Sequence, residues 1–472
     1  MSKKGIALWL SGLIFCIGIG AYTQEITSQT KVSERLIATI DSSSWLKGLF
    51  QISPDSRHVA YIAGLGNKWF VVVDGKEEKQ YDGIGSIPIF SPDSRRVAYV
   101  AKSGNKQFVV VDGKPEKQYD GIVEGTLIFS PDNKHVTYSA NLGDKGFVIV
   151  DGKEGKQYDG IGALIFSPDS RRVAYMAGLG NKRFIVVDGK EGEPYDCIFK
   201  GTLIFSPDSR RVTYAVKSDD TVFVVIDGKE EKPYDGIGST PIFSSDSRRV
   251  AYGAKSGDKG FVVVDGSEGK PYDNIREGSL IFSPDSKRMA YMAYAAKSGD
   301  KWFVVVDGKE KIQSDGIGGG SLIFSPDSRR VAYEARMGFK CFIVVDGIEE
   351  KQYDFIGEET LIFSPDSRRV TYVAKSGDKC FVVVDGKEEK QYDLMYDLIG
   401  EENLIFSPDS RHVAYVAKSG DKWFVVVDGS EAKQYDGIIT KGGGKIIFDT
   451  PTSIHYLAKK GNSIYLVEEN IE

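Results

Sequence analysis

Ten near-copies of one unit of about 40 residues, each readable as four short strands, predict an all-β fold of the β-propeller class. Two markers keep the register. The proline of a recurring "SPD" stands at positions 54, 92, 131, 168, 207, 284, 326, 365 and 408, and Ser245 fills the one place where it is missing. Ten "DG" pairs follow in step, from Asp74-Gly75 to Asp428-Gly429. A worn eleventh copy, "IIFDTPTSIHYLAKKGNSIYLVEE", covers residues 446–469.

Each element of the unit has a physical reason. "LIF" is a short apolar run and reads as strand a. "SPDS" is a turn, because proline pre-sets φ and Ser and Asp bond to nearby backbone. Its last residue is serine or asparagine, never glycine, which predicts a turn that does not demand positive φ. "RRVAYVA" is β-branched and aromatic, strand b. "KSGDK" is a glycine turn. "WFVVVD" is strand c, a valine run suited to burial on both faces. "DG" is the strongest short hairpin signal. "KEEKQYD" makes strand d, charged and therefore outermost, where lysines oppose edge-to-edge pairing. One such sheet cannot bury both its faces, but side-by-side copies bury each other. About eleven four-stranded antiparallel blades result.

The text "FSPDSRRVAY" resembles the WD40-like β-propeller repeat of the TolB type, and the resemblance covers roughly residues 49–469. It implies a partner-binding scaffold and no particular ligand. The Gly-His and Trp-Asp signature of eukaryotic WD repeats is absent.

Composition narrows the function. The 53 glycines and 24 tyrosines follow from turn and strand positions repeated in every copy. The net charge is −6 with acids and bases interspersed, which argues against the clustered basic face that nucleic acid requires. Lys3 and Lys4 followed by an apolar run at residues 6–19 read as a signal peptide over residues 1–21. A short linker (residues 22–33) and the repeat domain (residues 34–472) follow. Export to the periplasm or the outside of a bacterial envelope, and a monomer with no membrane span after cleavage, are expected. Cys197, Cys341 and Cys380 then remain. They form no disulfide framework and read as small apolar fillers.

No motif carries chemistry. His58, His135 and His412 fall in separate copies at the start of strand b and read as solvated strand-end residues rather than metal ligands. "SGDK" matches S-x-x-K but recurs in most copies, so it is a turn. G-x-S-x-G and phosphate-loop motifs are missing. Asp74, Asp112 and their equivalents read as turn residues, not calcium ligands. The expectation is no enzyme, no cofactor and no metal.

The copies differ most in the d-to-a connections, such as "GIVEGT", "CIFKGT", "NIREGS" and "FIGEET", and at the first position of strand c. Loops on a rigid frame are where binding resides. Trp69, Trp302, Trp423, Lys200, Arg276 and Glu358 are therefore the candidate partner-binding residues, placed on one face of the disc. A protein or polymer partner is the first reading. An enzyme or carbohydrate-binding site at the central channel, and a structural array without a ligand, are the alternatives.

The chain ends predict closure. The last copy has strands a, b and c but no d, while residues 34–41 precede the first strand a where a strand d belongs. Residues 36–40 should pair with residues 463–467 and seal the ring. One ring is favoured over two of about five plus six blades. At about 10 Å between packed sheets, eleven blades leave a channel of radius near 17 Å at the inner strands.

Overall fold

The computed structural model describes residues 32–40, 45–295, 299–393 and 403–471. The expected signal peptide lies outside the described residues. Among those residues there are eleven antiparallel sheets and no helix.

Blade 3 shows the plan. Strand b (Val136–Leu142) pairs with strand c (Lys145–Val150), and c pairs with the short strand d (Lys153–Glu154). A bridge from Gly146 to Tyr158 prolongs d. Asp151 and Gly152 both have positive φ, +49° and +75°, the two-residue hairpin that "DG" predicts.

Strand a differs from the sequence reading. The apolar run is only its second half. Gly121–Ile122 pairs with the far end of strand b, and Ile128–Phe129 with the near end. The residues between them bulge from the ladder. Part of what reads as a d-to-a connection is therefore strand. Blade 4, whose connection is two residues shorter, runs strand a as one stretch from Gly160 to Phe166, and blade 1 does so from Trp45 to Ile52, each with a register shift.

Each interface between blades holds one apolar cluster. Between blades 1 and 2, Val71 and Tyr81 meet Tyr99, Phe108 and Val110. In nine blades a tyrosine that prolongs strand d packs edge-on against an aromatic ring of the next blade, as Tyr119 does on Phe147 at 5.6 Å; blade 7 has Ser314 in its place. Across the ends of the chain, Leu457, Ile464 and Leu466 of blade 11 meet Ile52, Val59 and Tyr61 of blade 1. Eleven blades joined by eleven interfaces make one closed ring.

The seam pairs the chain ends. Val32–Thr39 runs antiparallel to Ser463–Asn470 as strand d of blade 11. The strand starts inside the segment read as linker. A bulge at Ile37 breaks the alternation, so Ile37 and Ala38 are buried and Leu36 is exposed.

Polar contacts join the blades on both faces. In "SPDS" the last residue takes φ from +51° to +67° in all ten copies, so the turn does demand positive φ, contrary to the sequence reading. Serine stands there because its hydroxyl reaches sideways. The Asp55 N–H donates to Ser94 Oγ of the next blade at 3.0 Å, and the link repeats through Asp366 and Ser410. Asn133 takes the serine's place in blade 3 and accepts through its side-chain oxygen. On the opposite face, Asp82 binds Lys68 of its own blade and accepts the Gly104 N–H of the next at 2.7 Å. This contact places the b-to-c turns and the d-to-a junctions on one face, as expected.

A third link belongs to the second arginine of "SRR". Arg96 bonds the hairpin carboxylate of Asp112, donates to the Asn133 carbonyl of the next blade, and lies 5.2 Å over the Phe129 ring. In blades 1, 3 and 10 a histidine replaces it. His58, His135 and His412 each lie 2.6–2.7 Å from the hairpin aspartate, so they are paired rather than merely solvated. The fourth histidine, His455, is buried against Asp449 and the Asp55 carbonyl.

Candidate functional site at the channel edge

Strand a is innermost. The strands a of blades 1 and 2 approach one another, and the free edge of strand a faces the channel. The bulge in that edge is built by a hydroxyl. In blade 5, Thr202 Oγ1 donates to the Phe199 carbonyl at 2.7 Å and accepts the Ala215 N–H of strand b at 3.0 Å. Thr126, Ser279, Ser321 and Thr360 do the same in their blades. The side chain replaces a missing ladder carbonyl, and the residues before it are lifted from the sheet edge.

Lys200, Arg276 and Glu358 all sit in such bulges. They are therefore placed along the inner edge rather than on loops of the outer face. Lys200 and Glu358 are exposed. Arg276 is half-buried, donates through Nη1 to the Ile317 carbonyl of blade 8 at 2.6 Å, and lies 5.9 Å over the Trp302 ring. Trp302 in turn packs on Tyr294 at 5.3 Å.

Blade 8 explains this reach. Its bulge reads Gly318-Gly319-Gly320. A Cβ on Gly319 would stand 2.6 Å from Arg276 Nη2, and one on Gly318 would stand 2.1 Å from Glu334 Oε2. The bare backbone thus admits an arginine from one side and covers a carboxylate on the other. Glu334 is 2% exposed and accepts from Arg336 Nε at 3.0 Å. Arg336 also feels the charge of Glu358 on blade 9. Burial, and then the Glu334 carboxylate, push the neighbouring Cys341 thiol up, which keeps it protonated and unreactive.

The structure thus places Arg276 and Glu358 on the strand-a edges of blades 7 and 9, with Trp302 of strand c in blade 7 beneath the Arg276 guanidinium. The other three candidates lie apart. Lys200 is on blade 5. Trp69 is half-buried on blade 1, with its ring edge over Gly64. Trp423 is on blade 10, beneath Lys418 and beside an apolar pocket. Glu334, Arg336 and the triple glycine were missed in the sequence reading. Their signal was legible: blade 8 reads "VAYEARMGFK" where blade 10 reads "VAYVAKSGDK".

The blade 7–9 cluster offers paired charges, an aromatic ring and a hydrogen-bonding edge, which is chemistry suited to recognition. Among the described residues, no group of three or more His, Cys, Asp or Glu side chains is placed to hold a metal ion.

No family profile and no curated protein sequence matches the chain. Solved structures similar to it include a eukaryotic initiation factor, at 14% identity over 72% of this chain and 96% of that one, TM-score 0.39. TolB from Acinetobacter baumannii aligns at 20% identity over 46% of this chain and 64% of that one, TM-score 0.24. The β-propeller domain of the Trilobed protease from Pyrococcus furiosus aligns at 14% identity over 66% and 96%, TM-score 0.29. The fold rests on the chain's own eleven sheets and their closed succession of interfaces: it is an eleven-bladed β-propeller.

Proposed function

We propose that the chain is an exported, non-catalytic scaffold that binds a protein or polymer partner through the channel edge of its ring. One observation carries the reading. The copies keep the residues that pack blade on blade and diverge in the strand-a bulges, where Lys200, Arg276 and Glu358 stand on rigid backbone. Variation concentrated at an inward-facing edge fits selection for recognition there. Export is supported by Lys3, Lys4 and the apolar run that follows.

The test is a pull-down from the source organism's envelope extract with the chain lacking residues 1–21. A control carries Lys200→Ala, Arg276→Ala and Glu358→Ala together. The proposal expects a partner retained by the native chain and lost by the control. Identical recovery by both would overturn it. Mass spectrometry of exported protein should find an N-terminus between Ala21 and Gln24, and intact Met1 would contradict export by cleavage.

A further inference from the structure

The seam between the last and first blades holds a pocket that the channel-edge reading does not use. It has a volume of about 310 Å³ and walls that are nearly all apolar. That is the lower end of the range for small-molecule sites.

Its origin is legible in the chain. Blade 3 separates the halves of strand a with five residues, Val123 to Leu127, whereas blade 11 uses eight, "ITKGGGKI". The longer segment crosses to blade 1. Ile52 N–H donates to the Gly442 carbonyl at 2.7 Å, and Lys445 N–H donates to Ser56 Oγ at 3.0 Å. A Cβ on Gly442 would stand 2.9 Å from the Phe50 carbonyl oxygen, so glycine is needed where the segment touches down. The arch leaves a hollow lined by Ile40, Phe50, Trp423, Ile439 and Ile464.

Two lysines complete the lining, Lys441 and Lys459. Both are exposed; among the described residues neither is in salt-bridge contact with a carboxylate, although Lys459 lies within the field of Asp436, which is itself bonded to Lys422. This sets them apart from the strand-c lysines, such as Lys68, Lys106 and Lys422, each of which is paired with an aspartate. An apolar hollow with two exposed ammonium groups at its rim complements a molecule with an apolar tail and one anionic end.

We propose that the seam pocket binds a medium-chain fatty carboxylate, its tail against Ile40, Phe50, Trp423 and Ile439 and its carboxylate held by Lys441 and Lys459. Because the walls come from both ends of the chain, such a ligand binds only the closed ring and stabilises the closure by mass action.

Titration calorimetry of the folded chain with decanoate and with decanol, combined with melting curves, tests this. Saturable decanoate binding with a raised melting temperature is expected. The double variant Lys441→Glu, Lys459→Glu should weaken decanoate at least about tenfold, as loss of a charge-assisted contact predicts, and leave decanol unchanged. Ile439→Trp, which fills the hollow, should abolish both. If that variant fails to fold, the charge-reversed pair decides, since both lysines are exposed. Absence of saturable decanoate binding, or decanoate binding that ignores the charge reversal, would overturn the proposal. So would decanol binding as tightly as decanoate, which would mark the hollow as a seat for an uncharged side chain of a partner protein.

Discussion

The serine that ends each "SPDS" turn holds a left-handed backbone, +64° at Ser94, that glycine would hold with less strain. What it gains is the hydrogen bond from the preceding blade. Ser94→Ala keeps the strain and loses the bond, and should cost about 1 kcal/mol. Ser94→Gly loses the bond but relieves the backbone by a similar amount, so it should be near neutral. Urea unfolding of the two variants checks the order, and an alanine variant as stable as the glycine one would contradict it. Phe108 makes the contrasting apolar case. It is buried against Tyr81 at 5.3 Å, and Phe108→Ala should cost about 3–5 kcal/mol and broaden the melting transition. The hairpin Asp-Gly pairs were legible because their requirement is local. The turn serine was misread because its partner lies about one repeat away, and nothing in the four residues themselves announces an acceptor for a neighbouring blade. Glu334 was legible in principle as an acid in an apolar register, but only a copy-by-copy comparison of strand b exposes it.

At the scale of the strand, the divided strand a is what converts a packing repeat into a varied edge. Its first half is a two-residue stretch such as Gly121–Ile122, too short for any periodic signal, paired with strand b and bonded through the Ile122 N–H to Gln107 Oε1 of the preceding blade. The apolar "LIF" half announces itself, and the bulge between the halves does not. Strand b carries the other lesson. Where it begins with arginine, one side chain ties the hairpin aspartate to the next blade; where it begins with histidine, only the aspartate is held. The Asp74 hydrogen bond raises the pKa of His58 above 6.5, against burial. A raised folded-state value means this pairing contributes fully below 6.5 and fades as pH climbs through the raised value. His58→Arg should restore the link to blade 2, add about 1 kcal/mol, and remove that alkaline loss. Denaturant midpoints at about pH 6 and about pH 9 measure both effects. A variant no more stable than the native chain, with the same pH difference, would show that the arginine link is incidental.

At the scale of the whole molecule, a ring of near-identical interfaces depends on its one exceptional seam. Glu34 of the closing strand bonds Lys460, Tyr435 and Lys433. Burial opposes its charge, yet these partners hold the Glu34 carboxyl down at about 2 against an ordinary 4.5. A depressed folded-state value means the contribution is complete above 4.5 and is lost as pH falls toward 2. Glu34→Gln should therefore flatten the acid limb of the stability profile in that window, and an unchanged limb would show that the seam does not depend on this contact. The number of blades was legible by counting repeats, and the missing last strand pointed to the N-terminus. A single ring was less legible, because the choice between one ring and two lies in how many identical interfaces close on themselves, and identical interfaces look alike in sequence. The most direct measurement is therefore single-particle imaging of the purified chain viewed down its axis. Eleven spokes around one open channel, with residues 32–39 as the outer strand of the last spoke, are predicted. Two smaller rings, or an open arc whose ends do not meet, would contradict the account.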